Sequence, residues 1–293
     1  MGVLFKENFE SGLKTSKLGD SNARWFFFAQ PGFISHDPSA KISATRGMLT
    51  VDIPRYTLTT TGIIDHPKFM IYSNTINSDT GFPGFKAPDD REIYYEANAA
   101  VETYGTEINP FDAPADDFRL SSGGVITNDF DTFMVYDFLI TPTKVYALYE
   151  RLPFDQKVED PTAFFTYVVP LIDLEPGVRY HYKLSYNKSK YQVWYYIDGK
   201  CVFSVDEFGR RLGRDFESYS QFKDMPDSGN PDDLPLVQSN QRIVGAGLFT
   251  MLDGGMRHGK ELANIHDPVL SPSKKLFGQG GKIRLSDIVV GTT

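Results

Sequence analysis

Between Arg91 and Tyr104 polar and apolar residues alternate. Glu92, Tyr94, Glu96, Asn98, Ala100 and Glu102 form one set, and Ile93, Tyr95, Ala97, Ala99 and Val101 form the other. Period-two geometry turns these sets into the two faces of one strand. The even-numbered face then offers carboxylates, a phenol and an amide together, the groups that acid–base chemistry and polar ligand recognition use. Glu92 and Glu96 lie two repeats apart, about 13 Å at about 6.7 Å per repeat. A retaining glycosidase needs its carboxyl groups about 5–5.5 Å apart. A partner for either glutamate must therefore come from a neighbouring strand. A strand that simply faces solvent fits the same pattern.

Arg179–Ser185 supplies a second strip, with Arg179, His181, Lys183 and Ser185 set against Tyr180, Tyr182, Leu184 and Tyr186. A histidine beside cations has its charged form disfavoured, which suits a general base near neutral pH. Arg179 and Lys183 suit an acidic substrate, while a charged edge or convex-face strand is the alternative. If the two strips line one cleft, Glu92, Glu96 and His181 are the catalytic candidates. Tyr94, Asn98, Arg179 and Lys183 would then bind substrate.

The segment 251–260 combines glycines with Asp253 and His258, and Asn264–Pro268 adds His266 and Asp267. Glycine lets the backbone approach a ligand closely, which makes His258 a further binding candidate. Zinc on His258 and His266, or structural calcium on Asp253 and Asp267, is a weaker reading than a plain surface loop. No cofactor is expected. The chain carries 23 Phe, 16 Tyr and 2 Trp. Trp25-Phe26-Phe27-Phe28 and Trp194-Tyr195-Tyr196 hold more rings than one face can bury, so Trp25 and Trp194 are candidates for stacking on a sugar or an apolar polycyclic ligand. A Gly-x-Ser-x-Gly elbow, a dinucleotide fingerprint and a P-loop are all missing. Cys201, within an apolar strand, reads as packing.

The elements that hold these residues follow from composition and pattern. The chain has 293 residues, 41% hydrophobic and 23% charged, the balance of a globular protein that one domain, 1–293, accommodates. Thirty basic against 38 acidic residues, a net charge of −8, argue against nucleic acid and anionic membrane as partners. One cysteine provides no disulfide framework. The start lacks a basic region followed by an apolar run, and no stretch reaches the about 18 apolar residues of a membrane span. A cytoplasmic setting is expected, with a secreted protein whose leader was removed as the alternative.

Short segments rich in Val, Ile, Tyr, Phe and Thr, separated by Gly, Pro, Asn and Asp, give an all-β pattern. Strands are expected near 48–53, 91–104, 122–128, 131–140, 143–151, 163–170, 179–187, 191–198, 200–205, 242–251 and 282–290. Asn187–Lys190 and the type I′ pair Asp198-Gly199 read as tight hairpins. The stretches 54–90, 105–121 and 206–241 read as long loops, the last holding an acidic run at 224–233.

Three pieces in order carry a resemblance. They are Phe5–Gly12 with Trp25 soon after, Tyr191–Phe203 around Asp198-Gly199, and Gly281–Val290 at the end. This layout resembles the concanavalin A-like lectin/glucanase superfamily, though the Glu-x-Asp-x-x-Glu signature of its retaining glucanases is absent. The resemblance implies an antiparallel jelly-roll β-sandwich with adjacent first and last strands, and long loops over a concave cleft where glycans are bound or cleaved. The function expected is a cofactor-independent lyase, isomerase, cyclase or hydrolase acting on a small organic or carbohydrate-like substrate in that cleft. The alternative is a non-catalytic lectin-like protein. Oligomeric state is not legible.

Overall fold

The computed structural model describes residues 2–59, 66–152, 164–221, 234–252 and 275–293. Its strands in chain order are β1 (Gly2–Glu7), β2 (Trp25–Phe27), β3 (Ala29–Gln30), β4 (Phe33–Ile34), β5 (Lys41–Thr45), β6 (Met48–Ile53), β7 (Pro67–Ser73), β8 (Phe85–Lys86), β9 (Ile93–Tyr104), β10 (Ser122–Asn128), β11 (Met134–Ile140), β12 (Lys144–Arg151), β13 (Phe165–Asp173), β14 (Tyr180–Asn187), β15 (Gln192–Ile197), β16 (Lys200–Val205), β17 (Gln241–Phe249) and β18 (Gly280–Thr292). Two eight-stranded antiparallel sheets form the jelly-roll sandwich. The first runs β16-β15-β14-β9-β18-β6-β5 with β1 on β18, and the second runs β13-β12-β11-β10-β17-β7-β2 with β8 on β17. The first and last strands pair, Gly2 opposite Thr292 and Glu7 opposite Ile288.

The alternation along β9 sets how this sheet packs. Ile93, Tyr95, Ala97, Ala99 and Val101 enter the core, where they join Val125, Tyr136, Phe138, Ala147, Tyr149 and Leu248 of the second sheet. Rings interlock across the interface, with Phe138 5.0 Å from Tyr182 and 5.3 Å from Tyr195 between centroids. Two buried tyrosines of the first sheet tie the layers together. Tyr95 donates its hydroxyl proton to Gly245 O at 2.9 Å, and Tyr195 donates to Leu148 O at 2.7 Å. Each bond adds about 1 kcal/mol and satisfies a phenol that burial would otherwise strand.

Several expectations need correction. The stretch 54–90 holds β7, all seven of whose residues are buried. A strand covered on both faces shows no alternation, so its pattern is not distinctive. The third long stretch carries a 3₁₀ turn at Arg214–Tyr219, and the second carries one at Thr106–Ile108. Cys201 is exposed, not packed. The Asp198-Gly199 turn is as expected: φ of 49° and 78° are the left-handed values that a type I′ hairpin requires.

Candidate functional site on the first sheet

Register brings the two polar strips side by side. On β9 and β14, His181 stands opposite Asn98, Lys183 opposite Glu96, and Ser185 opposite Tyr94. One strand further, Trp194 lies opposite Ser185 and Tyr196 opposite Lys183. The odd-numbered side of β9 is committed to the core, so all these groups face outward. Most are half-buried, a consequence of their packing against one another.

Glu96 is the hub. Its Oε1 lies 3.3 Å from Lys183 Nζ, and its Oε2 lies 3.9 Å from His181 Nε2. The Lys183 ammonium sits 4.3 Å from the centre of the Tyr94 ring and 5.7 Å from that of Tyr196, a cation held between two aromatic faces. Desolvation, then the nearby Glu96 charge, raise the Tyr94 phenol above its ordinary pKa. Ser185 donates to Glu92 Oε2 at 2.6 Å, which occupies that glutamate at the margin of the cluster.

The other margin is built by β18. Between Ser286 and Val289 its pairing with β9 shifts register, and Asp287 takes a left-handed φ of 53°. Such a bulge re-aims a side chain. Asp287 Oδ2 accepts from Asn98 Nδ2 and from Ser286 Oγ, both at 2.9 Å, and these bonds hold its carboxyl below the usual carboxylate range. Arg179 donates to Ser286 Oγ at 3.2 Å. Arg284, on β18 as well, pairs with Glu102.

The structure therefore gathers Glu92, Tyr94, Glu96, Asn98, Arg179, His181, Lys183 and Trp194 on one face. It does not bring Trp25 there. Trp25 is fully buried, stacked on Phe9 with centroids 6.0 Å apart and edge-on to Phe5 at 5.5 Å. Its indole N–H donates to Glu7 Oε2 at 3.2 Å, so Trp25 is a core residue. His258, with Asp253, His266 and Asp267, lies outside the described residues. Tyr196, Ser286 and Asp287 are members of the cluster that sequence reasoning missed. Tyr196 follows from Trp194 by the two-residue period, whereas nothing local announces the bulge at Asp287. Among the described residues, no group of three or more His, Cys, Asp and Glu converges as a metal site. No described helix is long and apolar enough to cross a membrane.

A family model described as a family of unknown function, DUF6081, matches residues 6–293. The chain belongs to the DUF6081 family. This DUF6081 chain is also 33% identical over 124 residues to an uncharacterized protein of Acanthamoeba polyphaga mimivirus, a match covering 39% of the chain and 26% of the viral protein. It thus spans about a quarter of that relative. Among solved structures it is similar to a non-specific endo-beta-1,3(4)-glucanase of family GH16, at 11% identity and a TM-score of 0.49, covering 98% of this chain and 89% of that one. It is similar as well to beta-agarase B from Zobellia galactanivorans, at 14% identity and a TM-score of 0.47, covering 100% and 94%.

Proposed function

We propose that this DUF6081 protein is carbohydrate-active and holds a carbohydrate-like ligand on the outer face of the first sheet. One observation carries this reading: Tyr94, Trp194 and Tyr196 lie half-buried among Glu96, Lys183, His181 and Asn98 on neighbouring, registered strands. Rings presented beside fixed donors and acceptors match a sugar, which has apolar C–H faces ringed by hydroxyls. The ion pairs keep the long side chains ordered before a ligand arrives, which lowers the entropy cost of binding. Calorimetric titration with a panel of neutral and acidic oligosaccharides tests it. Binding that is lost in Trp194→Ala with the fold intact supports the reading, and unchanged binding rejects it.

A second reading is cofactor-independent proton transfer on the same face, favoured by the 3.9 Å approach of His181 Nε2 to Glu96 Oε2. An imidazole and a carboxylate placed side by side are a pairing that general acid–base catalysis uses. Turnover of a bound oligosaccharide that disappears in His181→Ala while binding persists would favour catalysis. Binding without turnover would favour the lectin-like role.

A further inference from the structure

The bulge in β18 lies where two strands hand over along one edge. β6 pairs with β18 as far as Met48 opposite Ser286, and β1 takes up the same edge from Glu7 opposite Ile288. Asp287 stands in the gap, next to the Ser286–Asn98 pair on the β9 side. The hand-over accounts for a bulge but not for an aspartate. At φ 53° aspartate is better tolerated than most residues, yet glycine takes this conformation at no steric cost. A strained residue kept in the middle of a polar, solvent-facing sheet points to a use for its side chain.

That side chain is exposed, and only half of it is occupied. Both hydrogen bonds to the carboxyl fall on Oδ2, from Asn98 Nδ2 and Ser286 Oγ. Oδ1 accepts from no described residue. The two donors fix the orientation of the group, and the positive charges of Arg179 and Lys6 add to their effect in holding it ionised. A carboxylate held in this way accepts from a hydroxyl in a charge-assisted bond, about twice as strong as a neutral one.

Arg179 supplies the complementary groups. Ser286, 4% exposed, donates its hydroxyl proton to Asp287 and accepts from Arg179 Nη1, so one buried hydroxyl fixes an anion and a cation side by side. Arg179 Nη1 also rests on Met48 Sδ at 3.9 Å. Both contacts use Nη1, which leaves the Nε and Nη2 protons of an exposed guanidinium for a ligand. Donors beside an acceptor match two neighbouring hydroxyls, each of which both donates and accepts. The pair lies in the row of Asn98 and His181, one two-residue repeat past Tyr196 and two past Trp194, about 6.7 and 13 Å along the strands.

We propose that Asp287 and Arg179 form a second subsite on this face, which reads two vicinal hydroxyls on a neutral sugar unit next to the unit held by Tyr94, Trp194 and Tyr196. The subsite rests on the carbohydrate reading of the first sheet and adds the class of sugar to it. Asp287 Oδ1 accepts from one hydroxyl, and Arg179 donates to the other. A uronic acid unit presents a carboxylate, which only accepts, and its charge meets that of Asp287. The cations of β14 do not reverse this discrimination, because Lys183 is paired with Glu96 and Arg179 is offset by Asp287.

Calorimetric titration of cellohexaose, maltohexaose, mannohexaose and hexagalacturonate into the folded full chain tests this, with melting temperatures measured alongside. Wild type should bind a neutral hexasaccharide about tenfold more tightly than hexagalacturonate. Asp287→Gly suits the left-handed backbone, so it should keep or raise the melting temperature while that affinity falls about tenfold, and Arg179→Gln should lower the affinity likewise. An aspartate retained for the fold alone would give the reverse, a lower melting temperature with unchanged affinity. If Asp287→Gly loses both, Asp287→Asn decides, because asparagine tolerates the same backbone without the charge: a preference for neutral over acidic sugar that survives in it overturns the subsite. Unchanged affinity in Asp287→Gly, or tighter binding of hexagalacturonate by wild type, overturns the subsite alone when Trp194→Ala still abolishes binding. Binding that Trp194→Ala leaves untouched, or no binding by wild type, overturns the carbohydrate reading and the subsite with it.

Discussion

Asp137 and Thr127 are joined at 2.6 Å, carboxyl oxygen to backbone N–H, where side chain replaces main chain in the β10–β11 ladder. The ladder pairs Gly123, Gly124 and Val125 with Ile140, Leu139 and Phe138, then resumes only at Asn128 and Val135. Thr127 Oγ1 in turn accepts from Arg242 Nη2 at 2.7 Å, so a buried guanidinium is linked to the carboxyl through one residue.

That arrangement has a pH signature. Burial is the largest influence on Asp137 and raises its folded-state pKa; the Thr127 N–H opposes it, the Glu150 charge adds to the rise and the Arg242 charge opposes it. A raised carboxyl means the folded state holds the proton more tightly than the unfolded one, whose value is about 4. The associated stability is complete below that value and is lost as pH rises through the folded pKa. Melting temperatures of wild type and Asp137→Asn should therefore diverge in favour of the variant as pH rises. A gap that stays constant with pH would contradict this.

Asp37 shows the opposite sign. Burial raises its carboxyl, but the N–H groups of Leu58 and Thr57 and the hydroxyls of Thr57 and Ser39 outweigh that and hold it below the ordinary value. Its contribution is present above about 4 and is lost as pH falls through the lowered folded value. Asp37→Ala strands those donors, and urea unfolding should register a loss of about 3 kcal/mol near neutral pH. The loss should shrink in acid.

The two tryptophans should behave differently. Trp25→Ala removes a fully buried ring and should cost about 3–5 kcal/mol in urea unfolding without changing ligand affinity of the folded fraction. Weakened ligand binding by a folded Trp25→Ala chain would reopen its role at the site.

Gly291 offers a milder probe of the first-sheet face. A Cβ there would stand 2.5 Å from the Tyr94 hydroxyl and 2.9 Å from Gly2 O of β1, so Gly291→Ala must push that phenol off the backbone of β18 and also crowds the β1 edge. Oligosaccharide affinity should fall by about tenfold, the equivalent of 1.4 kcal/mol, in a calorimetric titration. An unchanged affinity would show that Tyr94 takes no part.

Much of the first sheet was legible because its outer face is polar. In β9 the alternation from Glu92 to Glu102 announces both the strand and the side that packs inward, and Asp198-Gly199 announces its hairpin. The second sheet is apolar on both sides. The run Pro67–Ser73 therefore has no period to read, and the four consecutive aromatics from Trp25 do not say which rings face the core. Asp137 does leave a signal, a lone carboxylate in Met-Val-Tyr-Asp-Phe-Leu-Ile. Its meaning depends on Glu150, thirteen residues away and brought beside it only by the β11–β12 register. The Glu96–His181–Lys183 cluster likewise needs the β9–β14 pairing, which joins residues some eighty-five positions apart.

The most direct test of the first-sheet account is calorimetric titration of oligosaccharides into wild type and the Trp194→Ala/Tyr196→Ala double variant, with circular dichroism confirming the fold of both. The account predicts a binding isotherm for wild type that vanishes in the double variant. An isotherm of equal affinity in both proteins, or no isotherm for any oligosaccharide in wild type, would contradict it.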